Sequence, residues 1–150
     1  MHKIGLIDYG MGNIHSVTKS LESLGEEIIL IKNFNDSNFC KAIILPGVGA
    51  FDPAMNNLIK TDLITDLKNW INSGKSFLGI CLGLQLLFES SDEGKVQGLG
   101  ILKGKIKKIP NIVNQRLPHM GWCKLLPTKK NTLFGIEELN NWVYFVHSYH

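Results

Sequence analysis

A cysteine between two glycines is the feature of this sequence that most directly indicates chemistry. Cys81 follows the apolar run 76–80 and has Gly79 and Gly83 on either side. A buried strand that turns sharply into a helix needs small residues around its apex, because neighbouring backbone crowds it. At such an apex the thiol faces the first N–H groups of the helix, which favour a thiolate. A thiolate attacks carbonyl carbons, so the pattern predicts a cysteine nucleophile.

A purely structural role is the alternative for Cys81. Free cysteines are among the residues most often buried, and a small core residue in a tight turn needs no chemistry. That role, however, does not require glycine on both sides of the cysteine.

Two further segments are candidates for completing a site around a thiolate. Residues 46–51 contain Gly47 and Gly49, which let backbone N–H groups turn toward an anion, as an oxyanion hole requires. An ordinary turn after a strand explains this segment equally well. Gln85 lies four residues after Cys81, and therefore on the same helical face one turn along, although a lone glutamine on a helix is usually solvated.

The run 144–150 is a third candidate segment. It has a strand-like apolar pattern that ends in polar residues, including His147, Ser148 and Tyr149. Taken alone, such a run is more typical of a strand edge than of a site.

Composition restricts the class of protein. The chain has 150 residues, 44% of them hydrophobic and 19% charged, which is typical of one globular domain. Its longest apolar runs are too short to span a membrane. Three widely spaced cysteines without a Cys-x-x-Cys pair indicate neither a disulfide framework nor a zinc site, and they fit a reducing cytoplasm.

The basic run 100–109 alternates as in a strand with one solvated face. The net charge of +3 with little arginine gives weak support for nucleic-acid binding.

Apolar patterning predicts strands and helices in alternation, and hence a mostly parallel sheet with helices on both faces. The predicted strands are 3–8, 27–31, 41–45 and 75–80, and the predicted helices are 14–24, 62–73 and 82–90. Ligands of such sheets bind outside the carboxyl ends of the strands, where the glycine-rich segments lie. Beyond Gly98, shorter strands with lysine and proline predict antiparallel additions at one edge.

Several motifs in the same order resemble one family. Residues 46–49, 79–85 and 147–149 resemble the class I (triad-type) glutamine amidotransferases. Residues 8–13, 118–122 and 144–149 narrow the resemblance to the glutaminase subunits of imidazole glycerol phosphate synthases. The similarity extends over essentially the whole chain.

The resemblance implies a class I glutamine amidotransferase fold of the α/β type that hydrolyses L-glutamine. Cys81 would form a thioester with the side-chain carbonyl and release ammonia, and the backbone N–H groups of Leu82 and Val48 would form the oxyanion hole. The residues implied to bind glutamine are Gly47, Gly49, Gln85, Glu93, His147, Ser148 and Tyr149. No cofactor and no metal is implied.

A partner is implied as well. The ammonia would pass to a cyclase subunit with a (β/α)₈ barrel, in a cytoplasmic heterodimer that makes imidazole glycerol phosphate for histidine biosynthesis. Asn13 and Trp122 would face that partner, and the segment 47–49 would reorient when the partner binds its substrate. Neither nucleic acid nor a membrane is an expected partner.

The sequence departs from the family in one respect. The family takes its catalytic histidine and glutamate from a His-Pro-Glu segment downstream of the run 147–149, and no such segment occurs in residues 1–150. We therefore expect residues 1–150 to be a single incomplete domain that lacks the C-terminal part of the fold and is inactive alone. Two alternatives remain: an amidotransferase subunit of another synthase, and a catalytically inactive subunit that only binds a partner.

Overall fold

The computed structural model describes residues 2–111, 116–126 and 142–150. The chain divides into two compact units, Met1–Lys107 and Lys108–His150. The predicted single domain over residues 1–150 stays a prediction. Within the described ranges, no helix is both long and apolar enough to cross a membrane.

The first unit is built on a parallel sheet. Its four strands are β1 Lys3–Ile7, β2 Glu27–Ile31, β3 Ala42–Leu45 and β4 Ser76–Gly79, in the order β2-β1-β3-β4. Every pairing among them is parallel. The predicted parallel sheet is therefore confirmed, with strand ends within one residue of those expected. Short strands rich in isoleucine and leucine suit this arrangement, because helices bury both faces of a parallel sheet.

Helices and turns connect the strands. The helices are α1 Ile14–Ser23, α2 Phe51–Ile59, α3 Ile64–Asn72 and α4 Leu82–Gln85, with a 3-10 helix at Phe34–Phe39. The main hydrophobic core joins β1, β2 and β3 to α2, α3 and the start of α4. The helical spacing of Leu63, Leu67, Trp70 and Ile71 predicts one buried face on α3, and the first three of these residues are buried while Ile71 is half-buried. Helix α2 is not among the predicted helices.

Two details of the predicted helices are wrong. Helix α4 ends at Gln85 instead of Ser90. The carbonyl oxygens of Leu86 and Leu87 are not free to extend the helix, because they accept hydrogen bonds from the Leu99 and Ile101 N–H groups. The helical spacing of 14–24 also predicts one apolar stripe of Ile14, Val17, Leu21 and Leu24, but Leu24 lies beyond the end of α1 and is 75% exposed.

The predicted strand over residues 100–109 is also mostly wrong. Only β6 Lys105–Ile106 is a strand there, and it pairs in parallel with β5 Ser90–Ser91. The lysines at 103, 105, 107 and 108 are exposed, as a solvated basic run requires.

The second unit contains an antiparallel pair. Strands β7 His119–Lys124 and β8 Trp142–His147 form a sheet of their own, with His119 opposite His147. An isolated bridge joins Lys108 to Tyr149. The antiparallel pairing predicted beyond Gly98 is thereby confirmed for β7 and β8, but in the described residues this pair is a separate sheet instead of an addition at an edge of the parallel sheet.

Candidate active site

Cys81 stands at a sharp turn between β4 and α4. Its φ and ψ are 54° and −114°, a backbone conformation that residues other than glycine rarely adopt. The residue is exposed. A strained, exposed residue at the carboxyl end of a parallel strand is more typical of a functional residue than of a space-filling one. The geometry is that of the predicted sharp turn from a strand into a helix.

The two flanking glycines are required by close approach. A Cβ on Gly83 would overlap the carbonyl oxygen of Leu45 at the end of β3, and a Cβ on Gly79 would lie 2.7 Å from Leu84 Cα. Real Cβ contacts are not so short, so no larger residue fits either position without backbone movement. Gly83 lets the turn carrying Cys81 pack directly on the end of β3, and Gly79 lets β4 approach the backbone of α4.

The segment 46–50 lies beside this turn, and we call it the oxyanion segment. It connects β3 to α2, and a Cβ on its Gly47 would lie 2.8 Å from Leu82 Cβ. Gly49 has φ +92°, which only glycine adopts without strain. The structure therefore brings the predicted oxyanion segment and the predicted nucleophile turn into contact.

The two predicted oxyanion donors differ in availability. Among the hydrogen bonds of the described residues, none has the Leu82 N–H as its donor. The Val48 N–H, in contrast, donates to the carbonyl oxygen of Met11 at 3.3 Å. In this structure Leu82 is ready to donate to an anion, whereas Val48 must first leave Met11.

The loop after β1 supports the oxyanion segment at a second point. The buried Tyr9 hydroxyl donates to the carbonyl oxygen of Pro46 at 2.9 Å, and burial raises the pKa of this phenol well above its ordinary value. A Cβ on Gly12 would lie 2.9 Å from Pro46 Cγ. The beginning of the segment is thus fixed through Pro46, while Val48 is held by one long hydrogen bond.

Glu93 and Gln85, both predicted to bind glutamine, lie near the same elements. Glu93 is half-buried, and its Oε2 accepts a hydrogen bond of 3.0 Å from the Phe51 N–H, directly after the oxyanion segment. The Gln85 N–H donates to the Cys81 carbonyl oxygen at 3.2 Å, which places it one helical turn beyond the cysteine as predicted.

The other predicted glutamine-binding residues belong to the second unit. His147 Nδ1 donates to the carbonyl oxygen of Tyr149 at 2.9 Å, and the Ser148 carbonyl oxygen accepts from the Ile109 N–H at 2.9 Å. These bonds fix the backbone at the end of β8. Binding of glutamine by His147, Ser148 and Tyr149 stays a prediction.

Two residues were predicted to face a partner. Asn13 is exposed and also caps α1, since its side-chain oxygen accepts from the Ser16 N–H at 3.2 Å. Trp122 is 65% exposed on β7 and makes an edge-to-face contact with Tyr144, their ring centroids 5.6 Å apart. Both side chains are accessible to a partner, and their role in docking stays a prediction.

The remaining cysteines occupy different environments. Cys40 is half-buried, and burial raises the pKa of its thiol, an effect that Lys3 opposes. Cys123 is half-buried with its Sγ 3.4 Å from His119 Nε2. No group of three or more metal-binding side chains occurs in the part of the chain that the structure describes.

Sequence reasoning missed two residues of this region, Met11 and Asp52. Met11 holds the Val48 N–H, and Asp52 accepts backbone hydrogen bonds from Lys95 and Val96. The order of the strands contains the signal for Met11, because loops after adjacent parallel strands lie side by side at one edge of a sheet. For Asp52 there is none, since its partners lie more than forty residues away.

Comparison with known proteins gives a consistent result. Residues 5–150 match the family described as glutamine amidotransferase class-I. A protein of Prochlorococcus marinus strain MIT 9312, named imidazole glycerol phosphate synthase subunit HisH, is 91% identical over 100% of this chain and 73% of its own length. A protein of the same name from P. marinus subsp. pastoris is 77% identical over the same shares.

Two solved structures are similar in fold. The crystal structure of a glutamine amidotransferase aligns with a TM-score of 0.67 at 15% identity, over 97% of this chain and 70% of that one. The structure of PurLQS from Thermotoga maritima aligns with a TM-score of 0.66 at 20% identity, over 99% and 68%. At these identities the likeness shows the fold alone.

Proposed function

Because this chain belongs to the class I glutamine amidotransferase family, and within it to the HisH subunits of imidazole glycerol phosphate synthase, we propose that Cys81 is the nucleophile that attacks the side-chain amide of glutamine. The observation that carries the assignment is the exposed, positive-φ cysteine between two glycines that tolerate no side chain. Of the three cysteines, Cys81 alone has this geometry.

The reaction balances as two substitutions at one carbon. The Cys81 sulfur bonds to the amide carbon of glutamine, the C–N bond breaks, and the nitrogen leaves as ammonia after gaining a proton. Water then attacks the thioester, which gives glutamate and restores the thiol. The family's catalytic histidine and glutamate are not among residues 1–150, so we assign the proton transfers to no side chain here.

Oxyanion stabilisation uses the backbone donors described above. The Leu82 N–H is one donor, and the Val48 N–H becomes the second when it leaves the carbonyl oxygen of Met11. Each oxyanion donor typically contributes about 10²–10³ in rate. Because the Val48 N–H is bonded to Met11, we expect glutamine hydrolysis to be slow until the oxyanion segment reorients.

Glutamine recognition is assigned to groups around this turn. Gln85 lies on α4 and Gly47 approaches Leu82, while Gly49 lies in the oxyanion segment and Glu93 bonds to Phe51 directly after it. A carboxylate such as Glu93 suits the ammonium of the substrate's amino-acid group. The proposal includes His147, Ser148 and Tyr149 as further binding residues, on the family resemblance.

The partner proposed is a cyclase subunit with a (β/α)₈ barrel that receives the ammonia and makes imidazole glycerol phosphate in the cytoplasm. High identity to HisH subunits supports this synthase, and an amidotransferase serving another synthase is not favoured. Exposed Asn13 and Trp122 are the residues proposed to face the partner.

A test of the nucleophile compares two cysteine variants in a synthase whose amidotransferase subunit also carries the family's catalytic histidine and glutamate, the form that we call the assembled synthase. We expect Cys81→Ser to abolish glutamine-dependent turnover while activity with supplied ammonia persists. Cys123→Ser, the matched control, retains both activities. Glutamine-dependent turnover in Cys81→Ser at the wild-type rate would disprove the assignment.

A further inference from the structure

Asp52, in the first turn of α2, accepts three backbone hydrogen bonds from a distant loop. Its Oδ1 and Oδ2 lie 3.0 and 2.9 Å from the Lys95 nitrogen, and Oδ1 also lies 3.0 Å from the Val96 nitrogen. A Cβ on Gly94 would overlap this carboxylate, so the loop approaches α2 as closely as its backbone allows. Asp52 therefore holds this loop through directed hydrogen bonds to its backbone.

The loop in turn supplies a carboxylate that bonds to the backbone of α2. Glu93 Oε2 accepts from the Phe51 N–H at 3.0 Å, and the Glu93 N–H donates to Ser91 Oγ at 3.1 Å. Helix α2 therefore holds the loop through Asp52, and the loop caps the first N–H of α2 through Glu93. We call this reciprocal pair of carboxylate contacts the α2 clasp.

The clasp lies beside the groups of the proposed reaction. Phe51 directly follows the oxyanion segment and is fully buried, so its backbone position is fixed. Glu93 Oε1 accepts no hydrogen bond from a described residue and remains available to an ammonium group. With Oε2 bonded to Phe51, the carboxylate is held in one orientation.

We propose that Asp52 is a positioning residue that, by holding the loop 93–96 against α2, fixes Glu93 for binding the ammonium group of glutamine. The inference rests on the proposed function of the site and adds to it a residue that touches no substrate. Asp52 acts through Glu93, so its loss raises the glutamine concentration that the enzyme needs and leaves the chemistry at Cys81 intact. Misplacement of a binding group by about 1 Å costs up to about 100-fold.

The first arm of the test measures kcat and KM for glutamine in the assembled synthase. We expect Asp52→Ala to raise KM about tenfold or more and to change kcat less than about threefold. Asp52→Asn keeps one oxygen acceptor at the same size, and we expect a smaller rise in KM. Asp66→Ala is the matched control, since Asp66 is an exposed acidic residue in the first turn of α3, and its KM stays unchanged.

The second arm asks whether Asp52 acts through Glu93. If it does, the double variant Asp52→Ala with Glu93→Ala has the same KM as Glu93→Ala alone, because the positioned group is already absent. Multiplied effects in the double variant would overturn the proposal, and so would a KM within twofold of wild type in both Asp52 variants. Turnover that survives Cys81→Ser would instead refute the proposed function, so the two failures are distinguishable.

Discussion

At the scale of single residues, the three cysteines differ in backbone strain and exposure. Cys81 is exposed and strained, Cys40 has a thiol whose pKa burial raises, and Cys123 is half-buried beside His119. We therefore expect a glutamine-analogue electrophile to label Cys81 far faster than either of the others, and excess glutamine to protect it. Mass spectrometry of the digested protein measures the three sites together. Equal labelling of all three cysteines would contradict the assignment.

The buried thiol of Cys40 also makes stability depend on pH. Because burial raises its pKa above the ordinary value of 9.0, the folded state keeps the proton longer than the unfolded state. The resulting stabilisation is complete below pH 9 and is lost as the pH rises through the folded pKa. We expect the difference in unfolding free energy between wild type and Cys40→Ala, from urea titrations, to shrink above pH 9. The difference for Ser73→Ala, which removes no titrating group, stays constant.

At the scale of elements, the sequence predicts the parallel strands and the turn at Cys81 better than it predicts hydrogen bonds between distant segments. Glycines at 79 and 83 and the apolar runs are local signals, and they gave the parallel strands and the turn correctly. The end of α4 depends on hydrogen bonds from residues 99–102, which no local pattern encodes. Asp52 was missed for the same reason, since its partners lie more than forty residues away, whereas the order of adjacent strands indicates where Met11 lies.

The oxyanion segment provides the prediction at this scale. Val48→Pro removes the N–H proposed to stabilise the oxyanion, and Gly47 before it tolerates the restriction that proline imposes. We expect kcat of the assembled synthase to fall about 10²–10³-fold. Val48→Ala keeps the N–H and truncates a side chain that is 51% exposed, so its kcat stays within about threefold of wild type. Equal kcat values for the two variants would contradict a backbone role for Val48.

At the scale of the whole molecule, the proposed function couples glutamine hydrolysis to a partner subunit that consumes ammonia. The Val48 N–H bonded to Met11 describes one state of the oxyanion segment, and a partner that prefers the other state would raise the rate. Changing such an equilibrium from 1:99 to 99:1 requires about 5.5 kcal/mol of differential binding, which a large subunit interface supplies. Under the proposed function, the docking residues control activity through the population of the state in which the Val48 N–H has left Met11.

Trp122 provides the prediction for this interface. It is 65% exposed and contacts Tyr144 edge to face, an arrangement typical of the aromatic residues that dominate binding energy. We expect Trp122→Ala to weaken association with the cyclase subunit by about 2 kcal/mol, or roughly 30-fold in Kd, measured by isothermal titration. Phe39→Ala is the control, because Phe39 is 78% exposed and lies outside the segments proposed to dock. At saturating cyclase the Trp122 variant recovers glutamine turnover, since the residues around Cys81 are unchanged, whereas an unaltered Kd would remove Trp122 from the interface.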